Sequence, residues 1–164
     1  MKKMKLILAL ALIFNVLEAQ ETLSFKTSDG ESLFYTKSGK GPVIVLLSGG
    51  PGYGASALQQ WADTLSKNSE CILFEQRGIG LSGNVKLDST TINLKRAVLD
   101  IEDLRKHLGK EQISLCGISW GAGLAQAYVS YFPDRANKIV LISSMGPDLT
   151  FLPGMNDNKT MRLY

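Results

Sequence analysis

The 164-residue sequence predicts an α/β fold, a mostly parallel sheet with helices on both faces. Short apolar runs alternate along the chain with longer segments that carry apolar residues at helical spacing, which is typical of parallel sheets. The run Val43–Leu47 is apolar throughout, as expected for a strand that is covered on both faces. Ser119 lies between another such run and a helical segment, at the end of a strand where open parallel sheets bind ligands.

The elements can be assigned in order along the chain. An opening hairpin pairs Thr22–Lys26 with Ser32–Ser38 around an Asp-Gly turn. After the hairpin, predicted strands alternate with predicted helices. The strands are Val43–Leu47, Cys71–Phe74, Ile113–Cys116 and Lys138–Ile142, and the helices are Ala55–Lys67, Leu94–Leu108 and Trp120–Tyr131.

Residues 1–19 predict a secretory signal peptide. Lys2, Lys3 and Lys5 precede about twelve mainly apolar residues, a run too short to span a bilayer, and Ala19 suits cleavage. An uncleaved anchor or a first helix is the alternative. We therefore expect an exported protein, periplasmic or extracellular, that has no membrane contact once the leader is removed.

Composition argues against several classes of protein. The net charge of +3 includes the leader lysines, and no longer basic run indicates a nucleic-acid partner. Two cysteines and one histidine offer no metal-ligand spacing, so we expect neither a metal site nor a cofactor. The sequence leaves the oligomeric state open.

Residues 117–121 read Gly-Ile-Ser-Trp-Gly and fit the pattern Gly-x-Ser-x-Gly. A serine on a sharp turn from a strand into a helix holds its hydroxyl clear of the backbone, near the positive end of the helix dipole. The turn is so tight that the positions two before and two after the serine must be small, and Gly117 and Gly121 meet that need. The pattern predicts a nucleophile elbow with Ser119 as the catalytic nucleophile.

A glycine-rich loop, residues 48–54, follows the strand Val43–Leu47 and begins Ser-Gly-Gly-Pro-Gly. Glycines at this place let backbone N–H groups turn into open space, where a developing oxyanion can be held. We predict an oxyanion hole made by the N–H of Trp120 and that of Gly49 or Gly50. A flexible turn before a helix is the alternative.

A third motif, residues 75–82, reads Glu-Gln-Arg-Gly-Ile-Gly-Leu-Ser after the strand Cys71–Phe74. In order and spacing, the three motifs resemble the proline iminopeptidase group of the α/β-hydrolase superfamily, and the likeness runs from about Thr22 to Pro147. The resemblance implies an α/β-hydrolase fold and a serine hydrolase of acyl transfer. Its substrate would be a peptide or small molecule, through release of N-terminal proline or hydrolysis of a related amide or ester.

The chain departs from the family pattern at three positions: Ser48 replaces a histidine, Glu75 an aspartate and Ile118 a glycine. None of them removes the nucleophile. The resemblance also places one strand between those that carry Cys71 and Cys116, which separates the cysteines by about 9–10 Å. A disulfide cannot bridge that distance, so we expect two buried free thiols.

In members of the superfamily, the three catalytic residues follow one another along the chain in the order serine, acid, histidine. The only histidine, His107, precedes Ser119 among charged neighbours and is predicted to be a solvated or capping residue near the end of a helix. We therefore expect residues 20–147 to be the N-terminal part of a hydrolase core and residues 148–164 to begin a missing cap. Such a truncated chain lacks the triad aspartate and histidine and would be inactive. The alternative is a non-catalytic exported remnant or binding domain.

Overall fold

The structure, a computed structural model, describes residues 20–144. The predicted signal peptide and the predicted start of a cap, residues 148–164, lie outside the described residues. No helix within residues 20–144 is both long enough and apolar enough to cross a membrane.

The described chain contains a six-stranded sheet and three α-helices, as the alternating pattern predicts. The strands are β1 (Glu21–Lys26), β2 (Ser32–Ser38), β3 (Val43–Leu47), β4 (Glu70–Glu75), β5 (Ile113–Ile118) and β6 (Ala136–Ile142), and the helices are α1 (Gln59–Leu65), α2 (Leu94–His107) and α3 (Trp120–Tyr131). Short 3₁₀ turns form at Ala55–Leu58, Gly80–Gly83 and Pro133–Arg135. The first of these replaces the beginning of the predicted helix Ala55–Lys67, where Gly54 offers no capping side chain.

The strand order is β1-β2-β4-β3-β5-β6. The β1–β2 and β2–β4 pairs are antiparallel, and the other neighbours are parallel. Because β3 lies between β4 and β5, Cys71 pairs with Ile44 on one side of β3 and Cys116 pairs with Leu46 on the other. Both cysteines are buried free thiols, as predicted. Burial raises the pKa of the Cys71 thiol to about 11.

The apolar core has one layer on each face of the sheet. Helices α2 and α3 cover the larger layer, which includes Ile101, Leu124 and Tyr128. Helix α1 and the turn before it cover the smaller layer, which includes Leu58 and both cysteines. The prediction of helices on both faces is confirmed.

A buried polar group joins helices α2 and α3. Tyr128 Oη donates a hydrogen bond of 2.9 Å to Glu102 Oε2, and Arg105 Nη2 donates one of 2.7 Å to Glu102 Oε1. The bond from Arg105 holds the pKa of Glu102 below its usual value, so the carboxylate stays charged and paired. The helix that follows Ser119 is therefore fixed to its neighbour by charge-assisted bonds as well as by apolar packing.

Strand β6 forms one edge of the sheet in residues 20–144, and its only strand partner there is β5. Ile139 is 39% exposed and Val140 is 52% exposed. An exposed apolar edge strand is a template for pairing with another chain.

We expect residues 20–164 to self-associate through β6, and Val140→Lys to shift the protein toward monomer because a charge blunts the edge. Tyr131→Lys is the matched control, since Tyr131 is 53% exposed but lies on α3. Size-exclusion chromatography measures both. A wild-type protein that elutes as a monodisperse monomer and unfolds in one cooperative transition would contradict this.

Candidate active site

Ser119 lies between β5 and α3 with a φ of 52° and a ψ of −115°. Positive φ is uncommon for a residue with a side chain and costs about 1–3 kcal/mol. The backbone around the serine is held, because its N–H donates to Ile142 O at 2.9 Å and its carbonyl accepts from Ala122 N at 3.0 Å. The side chain does not cap α3. The turn thus fixes the serine backbone and leaves the hydroxyl available.

Both elbow positions must be glycine, because the backbone approaches too closely for a side chain. A Cβ atom on Gly117 would lie 2.2 Å from the carbonyl oxygen of Gly121. A Cβ atom on Gly121 would lie 2.1 Å from Leu47 O and 2.7 Å from Ser48 O. The close approach of α3 to the end of β3 therefore depends on Gly121.

The same approach brings the glycine-rich loop to the serine. A Cβ atom on Gly49 would lie 3.4 Å from Ser119 Cβ. Gly50 has a φ of +122°, a conformation that favours glycine. Trp120 is the first residue of α3, where backbone N–H groups have no partner within the helix. The three predicted oxyanion-hole residues thus lie around Ser119, and their roles stay a prediction.

Gln76 joins the three motifs, a role that the sequence analysis missed. Its side chain is 6% exposed. Its Nε2 donates to Ser48 O at 3.0 Å and to Ser48 Oγ at 3.2 Å, and its Oε1 accepts from Trp120 Nε1 at 2.9 Å. Ser48 Oγ in turn donates to Tyr53 O at 2.7 Å and closes the loop. One amide therefore holds the glycine-rich loop against the elbow.

The structure also shows the surroundings of Glu75 and Ile118, the other two residues that depart from the family pattern. Glu75 lies against the following turn, since a Cβ atom on Gly80 would lie 2.7 Å from Glu75 Oε2. Ile118 is half-buried at the end of β5 and packs against the smaller core layer.

A cluster of charged side chains lies behind the third motif. Arg77 donates two hydrogen bonds to Asp100, at 2.9 and 2.7 Å, and one of 2.9 Å to Asp29 in the hairpin turn. Arg96 pairs with Asp100 at 3.1 Å and with Asp103 at 2.9 Å. Burial raises the pKa of Asp100, although both arginines oppose that effect. The cluster ties the opening hairpin and α2 to the loop after β4.

His107 is exposed at the end of α2, as predicted. Its Nε2 lies 3.2 Å from Tyr35 Oη, and its ring stacks on Phe25 with the ring centroids 5.5 Å apart. This aromatic packing goes beyond the prediction, because the sequence shows only the charged neighbours on the helix.

Asp134 lies in the turn Pro133–Arg135 and is exposed. Within residues 20–144, no three His, Cys, Asp or Glu side chains are grouped so that they could hold a metal ion.

Residues 42–161 match the family described as alpha/beta hydrolase fold, and the chain belongs to this family. It is similar to a proline iminopeptidase from Xanthomonas citri, with 36% identity over 123 residues that cover 72% of this chain and 38% of that protein. The chain therefore spans well under half the length of this relative.

Solved structures show the same fold. A serine hydrolase from Cycloclasticus zankles aligns with a TM-score of 0.70 and 30% identity over 78% of this chain and 47% of that one. A variant of an epoxide hydrolase from Vigna radiata also aligns with a TM-score of 0.70, at 22% identity over 80% of this chain and 41% of that one. At 22% identity, the similarity to the epoxide hydrolase shows the fold alone. The predicted fold class and the resemblance to proline iminopeptidases are confirmed.

Gly121→Ala should destabilise the protein by about 3 kcal/mol or more, because the added methyl group meets backbone carbonyls that cannot move. Gly123→Ala is the matched control on the same helix, since nothing lies within 4 Å of its Cβ position. The control should be neutral or stabilising by about 1 kcal/mol. Urea unfolding measures both free energies, and equal losses would refute this account of the elbow.

Gln76→Met should lower the free energy of unfolding by about 2 kcal/mol, because it leaves Trp120 Nε1 and Ser48 O without a partner. Gln60→Met makes the same exchange at an exposed position of α1 and should change stability by less than about 0.5 kcal/mol. Urea unfolding compares the two variants. Indistinguishable values would show that the amide does not hold the loop.

Proposed function

We propose that this chain carries the nucleophile of a serine hydrolase that acts by acyl transfer. The observation that supports this most directly is the backbone of Ser119, held at positive φ between β5 and α3 with its hydroxyl not used as a helix cap. Strained backbone positions of this kind cluster at active sites, and a nucleophile elbow is one of them. The similarity to proline iminopeptidases favours an amide or ester substrate, with N-terminal proline as the finer proposal.

In the proposed reaction, Ser119 Oγ attacks the substrate carbonyl and forms a tetrahedral oxyanion. The backbone N–H of Trp120 and that of Gly49 or Gly50 receive this oxyanion, and each such donor is typically worth about 3–4 kcal/mol. A general base takes the proton of the Ser119 hydroxyl and gives it to the leaving amine or alcohol as the C–N or C–O bond breaks; water, activated by the same base, then attacks the acyl group, and its proton returns to Ser119 Oγ. Gln76 takes part only indirectly, because it holds the loop and the Trp120 indole in place.

The serine also needs a general base, and His107 does not fit that role. Its ring contacts Phe25 and Tyr35, so its described contacts are with the opening hairpin and not with the elbow. The sequence holds no second histidine. The matched segment of the Xanthomonas citri relative is 38% of that protein, and we place the acid and the base of the complete enzyme in a region corresponding to the unmatched part.

A second candidate function is a non-catalytic domain of the same fold, exported from the cell. The position of His107 favours it, because no base stands beside the serine among the described residues. The reading frame beyond codon 164 distinguishes the two. A continuing frame that encodes a downstream aspartate and a later histidine supports the enzyme, and an immediate stop codon supports the binding domain.

We expect the protein translated from the complete reading frame to hydrolyse proline arylamides or short acyl esters, and Ser119→Ala to lower turnover by about a thousandfold or more. His107→Gln should leave kcat/KM within about threefold of the wild-type value. Residues 20–164 alone should show no turnover above their own Ser119→Ala control. Serine-dependent turnover by residues 20–164, or a large loss in His107→Gln, would show that the base is in this chain.

A further inference from the structure

Arg77 is a buried side chain whose hydrogen-bonding capacity is only partly used. The side chain is 3% exposed. Its Nε and Nη2 donate to Asp100, and Nη2 also donates to Asp29. Its Nη1 is buried and has no partner within residues 20–144. A buried donor without an acceptor costs about 1–3 kcal/mol, so this nitrogen calls for an explanation.

The guanidinium is charged, so Nη1 carries N–H donors. Burial disfavours the charged form, but the bonds to Asp100 and Asp29 outweigh burial and raise the pKa of Arg77. Nε and Nη2 both face these aspartates, and turning the group to pair Nη1 would leave another nitrogen without a partner. An acceptor for Nη1 must therefore come from outside these ion pairs.

Arg77 also lies at the wall of a cavity of about 660 Å³. Asn93 and Ala97 form part of the same wall. Asn93, Ala97 and Asp100 follow one another at helical spacing on α2 and share one face of it. Because the guanidinium pairs with Asp100, it lies along this face next to Ala97. A ligand that enters the cavity can therefore bring an acceptor to Nη1.

Other polar side chains of the wall already have partners. The Gln76 amide is bonded through both its nitrogen and its oxygen. Asn93 Oδ1 accepts from Arg96 N at 2.9 Å. The Asp88 carboxylate pairs with Lys86 Nζ at 2.7 Å. The unpaired Nη1 differs from these groups, because a bond to a ligand would not have to replace a bond within the protein.

The surrounding charge does not choose between a neutral and an anionic acceptor. Behind the wall, Arg77 and Arg96 face Asp29, Asp100 and Asp103, two positive charges against three negative ones. This small excess opposes an anion, but an N–H group bonds more strongly to a carboxylate than to a neutral oxygen. A group that carries only donors, such as an ammonium or an amidinium, leaves Nη1 unpaired in either case.

We infer that Arg77 is a specificity-determining residue: its Nη1 donates a hydrogen bond to a carbonyl or carboxylate oxygen of a ligand in this cavity. The inference rests on the proposed function in so far as this ligand is the substrate of the hydrolase. Ser119 is not among the described residues that line the cavity, so this oxygen is not the one that becomes the oxyanion. A site built around such a donor discriminates against analogues that lack the acceptor.

Three planar probes of nearly the same shape test the inference: benzamide, benzoate and benzamidine, which is cationic at neutral pH and has no acceptor. Binding is measured by calorimetric titration of the complete protein with Ser119→Ala. The tighter of benzamide and benzoate should have a Kd at least about tenfold lower than that of benzamidine. The ratio of the two identifies a neutral carbonyl or a carboxylate as the natural group. Benzamidine that binds as tightly, or no binding of either acceptor probe, overturns the inference.

Paired variants assign the preference to Nη1. Arg77→Lys keeps a positive charge for the aspartates but removes Nη1, and should bring the Kd values of the tighter acceptor probe and of benzamidine within about twofold of each other. Arg96→Lys is the matched control, since Arg96 pairs with the same Asp100 and does not line the cavity. The control should keep the preference. Equal losses in the two variants would show that the charged cluster as a whole sets it, and would overturn the inference.

A crystal structure of the complete protein with Ser119→Ala and the tighter acceptor probe keeps the test independent of whether Arg77→Lys folds. The probe oxygen should lie about 3 Å from Arg77 Nη1. A probe bound elsewhere, or with its oxygen turned away from Arg77, overturns the inference. Because Ser119→Ala has no serine hydroxyl, these results do not depend on catalysis.

The outcomes separate this inference from the proposed function. Selective binding without serine-dependent turnover by the complete protein would refute the proposed function and leave the ligand site. Turnover without selective binding would refute the role of Arg77 alone.

Discussion

The architecture of the site depends on one close contact, between the start of α3 and the end of β3. Gly121 lies so near the carbonyl groups of Leu47 and Ser48 that any side chain there would overlap them. This contact sets the turn at Ser119, and it also brings the glycine-rich loop to the serine, because that loop begins where β3 ends. Without the contact, Ser119, the proposed nucleophile, and its candidate oxyanion donors would lie on separate loops with no fixed distance between them. The positive φ of Ser119 is the strain that accompanies this arrangement.

Buried polar groups then hold the loops that the glycines bring together. The Gln76 amide joins the glycine-rich loop to the indole of Trp120, and the Arg77 guanidinium fixes the chain that carries Gln76 to α2 and the hairpin. On the far side, Glu102 bonds to Tyr128 and so ties α3 to α2. Each of these groups is desolvated, and each would be costly to leave without its partners. These bonds fix the loops relative to one another, as the proposed oxyanion donors would require.

The sequence predicts the local parts of this arrangement well and the long-range parts poorly. The elbow glycines could be inferred because the constraint acts over two residues on either side of Ser119. The strands and helices could be assigned from apolar periodicity, although the 3₁₀ turn at Ala55–Leu58 replaces a helical start for which no cap exists. Gln76 lies within the third motif, but its bonding role could not be found this way, since its partners lie 28 and 44 positions away along the chain. The stacking of His107 on Phe25 likewise depends on where the hairpin lies against α2.

We propose that the fold presents Ser119 as a nucleophile that becomes reactive once a base is supplied. Covalent labelling is the test: the protein translated from the complete reading frame is treated with an alkyl fluorophosphonate, and the adduct is located by peptide mass spectrometry. We expect a single adduct on the peptide that contains Ser119 and none in Ser119→Ala. An adduct at another residue, or an unlabelled protein that is nevertheless folded, would contradict it.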